Sequence, residues 1–552
     1  MGEIFSTAKC NNTKAVQQLP NINQNNAFSA GEPKQNIWVK INDFATGAVQ
    51  RANHFFTPER ILFFALLLFA IHAVISLFFN TQIYRDVANV YAWYAREFSR
   101  GLWCAEPISK VPALNIFLAG LLAKCGIEAY RAMILLALGS MLLTLVPLYK
   151  LLTLFLSPRM AAWGCVLWLT APKLMRFSGA GLLESSRDLF LVTACYLLFK
   201  SRRQPCKWHH WCLFGVSLGL LALARGEGIF MAGCMGAGLL IRPVSDWKSW
   251  NNLLQKILKP LLITTASALI MMSPVIVQNY KVTGYPVTDA RLIGVVQLIP
   301  GIQNCFTEKK AAVVEPQKYL THDKLTAPSR NETAERLSHL PKNALRGAYE
   351  IYFVLALLGI GILVLAKKWQ QEYSFLIAYS LVVTGSFVFF SVAYRYFIFI
   401  IPLFMVFTMT GLAYLLELAQ KFKLHNILIA GIAVLILLQP FNAWSWMLKK
   451  DGAEEKEVAG YIKKNRQMFL PAGEQRKLIV HGDMRVIYHC DESRVFHYGE
   501  YYPPLKYVIG FDVVVVRQKQ SQDLADCMAR QDLRQIETPL SAWAVFVPER
   551  KK

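Results

Sequence analysis

Tyr84-Arg85-Asp86-Val87-Ala88-Asn89-Val90-Tyr91 follows the first long apolar stretch of the chain, residues 61–79. About 20 apolar residues suffice to cross a bilayer as a helix, so this polar loop is expected at a membrane face, with a carboxylate, Asp86, held there. The charge pattern places the segment before the stretch in the cytoplasm, so Asp86 is expected to face outward. The rest of the chain fits that reading. It has 552 residues, of which 54% are hydrophobic, and its mean hydropathy of +0.32 is above that of ordinary soluble domains. A multi-span membrane protein is therefore expected.

About eleven spans are read, over residues 61–79, 130–149, 160–172, 183–199, 211–224, 228–241, 260–277, 349–366, 374–391, 396–416 and 426–443. Alternate short connections are basic. One side carries Lys150 and Arg159; Lys200, Arg202, Arg203 and Lys207; Arg242, Lys248, Lys256 and Lys259; Lys367 and Lys368; and Lys421 and Lys423. Positive loops stay in the cytoplasm, which puts the N-terminus inside and, with an odd number of spans, the C-terminus outside. The net charge of +23 is thus a topology signal and not a nucleic-acid footprint. Residues 113–124, short and preceded by Pro112, read as re-entrant or interfacial. Three regions follow. Residues 1–58, rich in Asn, Gln and Lys, form a disordered cytoplasmic tail, ending near an interfacial stretch at Trp38, with no cleavable signal peptide. Residues 59–443 form the membrane domain, with outer loops 80–129 and 278–348. Residues 444–552 form a small outward-facing α/β domain, with strands near Lys477–Val480, Val513–Val516 and Val545–Val547 and helices near 453–465 and 521–531. The 11 Cys are scattered. Cys165, Cys195, Cys212 and Cys234 read as core residues. Cys104, Cys125, Cys305, Cys490 and Cys527 are expected outside, where one or two disulfides are compatible with the sequence.

Ionisable groups beside spans are costly and so informative. Asp86; Lys173, Arg176, Glu184, Arg187 and Asp188; Arg225 and Glu227; and Arg395 between Tyr394 and Tyr396 all fall at the expected outer ends of spans. Together they would line an outward cavity carrying both carboxylates and cations. Such a cavity suits sugar transfer from a polyprenyl-phosphate. The leaving phosphate needs cations, best supplied by the planar arginine fork, and the acceptor hydroxyl needs a carboxylate base. Asp86 and Glu184 are the catalytic candidates. Arg395, Arg225, Lys173 and Arg176 are the donor-phosphate candidates, and Tyr84, Glu227 and Tyr394 the substrate contacts. No metal ligand set is read, although a divalent ion is compatible with the chemistry. No Walker, G-x-G-x-x-G or H-E-x-x-H motif is present. Blander roles exist for each residue. Asp86 would cap a loop helix, Glu184 would pair with Arg187 along one helix face, and Arg395 would snorkel. Arg225 and Glu227 would form a buried structural pair, and Lys173 and Arg176 would be interfacial anchors. Tyr91, Trp93, Tyr94, Phe98 and Trp103 read as an interfacial belt or amphipathic helix. His481, Asp483, His489, Cys490 and Asp491 make only a loose metal-like cluster without fixed spacing. Asn331-Glu332-Thr333 fits a glycosylation sequon.

These residues carry a resemblance. Asp86 followed by an aromatic helix, Gly101 and the Pro107–Pro112 stretch; Tyr130-Arg131; Ala171-Pro172 with Glu184; Leu223-Ala224-Arg225-Gly226-Glu227-Gly228; Asn279-Tyr280 with Gly284; and Arg395-Tyr396-Phe397 with Pro402 occur in this order. The sequence resembles the GT-C membrane glycosyltransferases, within them family 39 and the dolichyl-phosphate-mannose-protein-mannosyltransferase-like proteins. Relatives of that group are the protein O-mannosyltransferases and the lipid A aminoarabinose transferases. The resemblance spans about residues 60–420. It implies an inverting transferase of the bacterial inner membrane that uses a polyprenyl-phosphate sugar donor, with Asp86 as base, Glu184 as a second carboxylate and Arg395 on the donor phosphate. The acceptor (protein, lipid or polysaccharide) stays open. Two departures stand out. Asp86 is flanked by Arg85 and Val87 instead of a second acid, and Gln278 replaces the arginine common before Asn279-Tyr280. Rival readings are a transporter or lipid flippase, suggested by the half-length stretches 211–224 and 228–241; an envelope polysaccharide polymerase or ligase; and a sensor that binds ligand through residues 444–552.

Overall fold

Thr57 caps the first helix, its hydroxyl accepting the Arg60 amide at 3.4 Å, and Pro58 occupies the first helical turn, where a missing N–H costs nothing. This helix, α1 (Pro58–Val74), continues through a wider π turn to Phe79. It is apolar around its circumference, as a helix surrounded by lipid and protein must be. The computed structural model describes residues 57–80, 83–84, 86–101, 112–204, 207–241, 253–283, 286–288, 330–390, 393–422, 424–448, 453–470, 478–482, 484–490, 493–494, 512–517, 525, 527–529, 532–539 and 543–548. Residues 1–56 of the expected 1–58 tail, residues 107–111 of the Pro107–Pro112 stretch, most of loop 278–348, and Arg85, Cys104, Cys305, Asp483 and Asp491 lie outside the described residues.

The membrane body continues with α2 (Ala92–Ser99), α3 (Ala113–Lys124), α4 (Ala129–Leu152), α5 (Pro158–Leu169), α6 (Pro172–Gly179) and α7 (Glu184–Arg203). Then come α8 (Trp208–Ala224), α9 (Gly228–Ala237), α10 (Lys259–Thr283), α11 (Arg330–Ala348), α12 (Glu350–Leu365), α13 (Gln371–Phe390), α14 (Ile400–Lys421) and α15 (His425–Met447). Each stretch read as a span falls on a helix. Among the described residues, five helices are long and apolar enough to cross a membrane, six if a bent pair counts as one. That pair is residues 334–348 with α12. Tyr349, at φ 63°, breaks the helix there and turns the chain by 92°. Residues 113–124 form an apolar helix of 12 residues, too short to span alone. The body buries its contacts inward and leaves large apolar side chains outside: Leu365 is 85% exposed, Phe78 72% and Ile270 70%. Water would penalise such a belt, whereas hydrocarbon does not. The chain is an integral membrane protein.

Glycines set the closest helix approaches. A Cβ on Gly359 would meet the Phe407 carbonyl at 2.0 Å, and one on Gly411 the Leu355 carbonyl at 2.1 Å, so α12 and α14 cross backbone to backbone. Gly228 does the same at the α8–α9 turn, where a Cβ would lie 1.9 Å from the Leu221 carbonyl. That tight turn fixes Arg225 and Glu227 on its two sides.

After α15 the chain forms α16 (Ala453–Lys464), α17 (Arg466–Phe469), β1 (Ile479–Gly482), α18 (Met484–Cys490), β2 (Ser493–Arg494), β3 (Val513–Arg517), β4 (Leu533–Ile536) and β5 (Trp543–Pro548). The sheet order is β2-β1-β3-β5-β4. β1 is parallel to both β2 and β3, with Val480 opposite Val513, and β5 is antiparallel to β3 and β4, with Val514 opposite Phe546. Val513–Val516 are all buried, as expected of a central strand covered on both faces. Residues 52–552 form one compact unit. Among the described residues, Cys125, Cys490 and Cys527 are free thiols, the first exposed and the other two buried.

Candidate active site

Asp86 precedes a single π turn, Val87–Tyr91, that leads into α2. Arg395 lies in a tight 3₁₀ segment, Tyr394–Phe399, that leads into α14. The two residues are 309 positions apart, yet Arg395 Nη1 donates directly to Asp86 Oδ2. Their side chains stay 20% and 18% exposed, so the pair is reachable. Beside it lies a second, buried group. Arg225 Nη1 donates to Glu184 Oε1 at 2.8 Å, and its Nε lies 2.5 Å from Glu227 Oε1. Arg187 grips Asp188 Oδ1 from Nε and Nη2 at 3.1 and 3.0 Å, donates from Nη1 to the Tyr396 carbonyl at 2.9 Å, and approaches Glu227 at 3.8 Å. The expected Glu184–Arg187 pairing does not form. Glu184 turns to Arg225, while Arg187, with its partners across the fold, ties α7 to the segment that carries Arg395.

Tyr396 joins the two groups. Its ring lies 5.0 Å from the Arg225 guanidinium and 5.3 Å from that of Arg395, a cation–π arrangement worth most when desolvated. Its hydroxyl accepts from Arg395 Nη2 at 3.5 Å. Asn115 of α3 closes the back of the site, donating to the Ala224 carbonyl at 3.2 Å and accepting the Ser186 hydroxyl at 2.9 Å. The short helix expected to be re-entrant or interfacial therefore supports the Arg225 turn. Burial raises the pKa of the Tyr84 phenol, with the Arg395 charge opposing and Asp86 adding to the rise.

The remaining candidates sit one aromatic layer away. Tyr84 packs edge-on against Phe177 and at a tilt against Trp446, both at 6.4 Å. Phe177 in turn packs on Tyr394 at 6.1 Å. The Arg176 guanidinium lies 4.2 Å over Trp446. Lys173 donates to the Arg346 carbonyl, lies 4.0 Å from Glu350 and faces the Tyr394 ring at 5.5 Å; burial lowers its pKa. Neither cation touches Asp86 directly. The fold thus brings Asp86 with Arg395, and Glu184 with Arg225 and Glu227, into direct contact, and surrounds them with Tyr84, Tyr394, Lys173 and Arg176. Tyr396, Arg187, Asp188 and Asn115 complete the arrangement. Of these, Asp188 and Arg187 were legible as charges within an apolar stretch and Tyr396 only as a member of the Arg395-Tyr396-Phe397 motif, but nothing in the sequence singles out Asn115. Among the described residues no three His, Cys, Asp or Glu side chains converge as metal ligands. The carboxylates here are each committed to an arginine.

No family model and no curated protein matches the sequence. Solved structures do match. ArnT from Cupriavidus metallidurans bound to undecaprenyl phosphate is 11% identical with a TM-score of 0.54, covering 88% of this chain and 97% of that one. The same protein in the apo state gives 12% and 0.53 over the same shares. The oligosaccharyltransferase of Archaeoglobus fulgidus in its apo form gives 13% and 0.44, over 78% of this chain and 64% of that one. At these identities the likeness is one of fold: the chain shares the helical membrane architecture of ArnT.

Proposed function

We propose that this protein transfers a sugar from a polyprenyl-phosphate donor to an acceptor at the outer face of the cytoplasmic membrane, with Asp86 as general base. The observation that carries the reading is the reachable Asp86–Arg395 pair set against a buried arginine–carboxylate cluster. The fold of ArnT, whose structure holds undecaprenyl phosphate, supports the same class of donor. Arg395 is the donor-phosphate residue: its fork is offered to a carboxylate in this state and would pass to the incoming phosphate, freeing Asp86. The acceptor hydroxyl then gives its proton to Asp86 as its oxygen attacks the anomeric carbon. The carbon–phosphate oxygen bond breaks from the opposite face, the configuration inverts, and polyprenyl phosphate leaves as an anion. Arg225, with Lys173 and Arg176 flanking, supplies further positive charge to that phosphate. Glu184 acts as a second site carboxylate that holds Arg225, while Tyr84, Glu227 and Tyr394 line the sugar.

In this reading the N-terminal tail 1–58 is cytoplasmic, residues 59–443 cross the membrane about eleven times, and residues 444–552 form the extracytoplasmic α/β module. The test uses the purified full chain in lipid nanodiscs with a panel of radiolabelled polyprenyl-phosphate sugars. One donor should be consumed, and Asp86→Asn should lower kcat by about 10²–10⁴-fold, the usual worth of a positioned base, with binding of polyprenyl phosphate retained. Unchanged turnover in Asp86→Asn would remove the base assignment. Turnover of no donor by the wild type would remove the reaction itself and favour the transporter.

A further inference from the structure

We propose that helix α18 of the C-terminal module fixes the position of the Asp86 loop, with Tyr488 and Arg96 as positioning residues; its activity readout rests on the transfer reaction above. The loop from Asn80 to Tyr91 is held at both ends. At the exit, α18 packs on the Val87–Tyr91 turn immediately after Asp86. There the Arg96 guanidinium lies 4.7 Å from the Trp93 ring and 4.4 Å from the Tyr488 ring, and its Nη1 donates to the Tyr488 carbonyl at 2.9 Å. At the entrance, Asn80 donates to the Tyr130 hydroxyl at 3.2 Å and to the Gly179 carbonyl at 2.8 Å. Tyr488 links both ends. Its hydroxyl donates to Glu128 Oε1 at 2.5 Å and accepts the Tyr130 amide at 3.1 Å, and Glu128 caps the α4 helix on which Tyr130 stands.

Tyr488 is 3% exposed and Trp93 7%, so these directional bonds are made in a desolvated contact, where they hold geometry best. An apolar patch would dock the module equally well without fixing register. Here one phenol and one guanidinium instead reach the two elements that flank the base. A positioning error near 1 Å is enough to slow an enzyme about 100-fold, so such a contact bears on rate without touching substrate.

The test uses the full chain in nanodiscs. Amide hydrogen exchange of residues 83–91 is compared in wild type, Tyr488→Phe, Tyr488→Ala and Arg96→Gln. Tyr488→Ala should speed exchange there by about tenfold or more, while protection of α1 and α14 is kept, because local opening is independent of the spans. Tyr488→Phe, which keeps the ring but loses the hydroxyl bonds, should fall between. At saturating donor, kcat of Tyr488→Ala should drop on the order of 10–100-fold while polyprenyl-phosphate affinity stays within about twofold of wild type. Unchanged exchange at 83–91, or loss of protection spread over the spans, overturns the proposal. If the wild type turns over no donor, the exchange result still decides the clamp, and the transfer reading falls separately.

Discussion

Asp86–Arg395 and the Glu184–Arg225–Glu227–Arg187–Asp188 cluster are built from the same two side-chain chemistries, yet their surroundings differ. The first pair is about one-fifth exposed on each side. In the second, Glu184, Arg187 and Asp188 are fully buried, Arg225 is 4% exposed and Glu227 8%. A pair that water reaches makes less net stability, since water screens it and competes for both partners. A buried cluster has already given up its hydration, and removing one member strands the others. The outer pair is therefore placed to exchange partners, whereas the inner cluster holds the elements that present it. Arg187 makes the link physical, because its Nη1 bond to the Tyr396 carbonyl anchors the residue next to Arg395.

The largest test breaks the inner cluster. Arg225→Met leaves Glu184 and Glu227 buried without their cation and should cost about 3–5 kcal/mol of stability, read as a lowered melting temperature in detergent or nanodiscs. Removing both charges in Arg187→Met with Asp188→Leu should recover most of the loss seen in Arg187→Met alone. If Arg225→Met melts like wild type while activity is lost, the inner cluster is not a scaffold. A smaller effect is expected at the outer pair. Arg395→Lys keeps the charge but loses the planar fork, so the donor KM should rise about tenfold, with melting unchanged within the roughly 1 kcal/mol that exposed pairs contribute. A melting loss as large as that of Arg225→Met would erase the distinction between the two regions.

The smallest effect concerns pH. Burial, then the charges of Lys456, Lys463, Arg96 and Arg485, bring His489 from 6.5 down to about 4. Its folded pKa lies below the unfolded one, so the unfolded chain takes up the proton first. The stability it permits is complete above about pH 6.5 and is lost as pH falls from there toward 4. The melting temperature should decline over that window, and His489→Gln should flatten the decline. An identical decline in the variant assigns the effect to other groups.

Much of the helical body was legible in the sequence, because apolar length and the rarity of charge within it are strong signals. Lipid, which cannot satisfy a stray charge, makes the few ionisable residues conspicuous, and the fold pairs Asp86 with Arg395 and Glu184 and Glu227 with Arg225. Partner choice was not legible. Glu184 and Arg187 share a helix face three residues apart, and local spacing predicts their pairing. The fold sets against this an Arg225 held by the Gly228 turn and the Tyr396 carbonyl opposite Arg187. The partners of short helices were not legible either. Residues 113–124, read as re-entrant or interfacial, form a short apolar helix whose Asn115 braces the Arg225 turn. The aromatic run after Asp86, read as an interfacial belt or amphipathic helix, forms a helix over 92–99 in which Trp93 is 7% exposed and lies beside the Arg96 guanidinium.

By itself the sequence determined that this is a membrane protein of many helices with acids and arginines gathered near span ends, since hydrophobic length and the cost of buried charge are properties of local composition. Tertiary contacts alone set which acid meets which arginine, that both the Arg225 and Arg395 guanidiniums approach the Tyr396 ring, and that a helix near residue 488 reaches back to the loop of Asp86. Those contacts join positions hundreds of residues apart. Their geometry is set by how backbones cross and pack, and no local pattern encodes that.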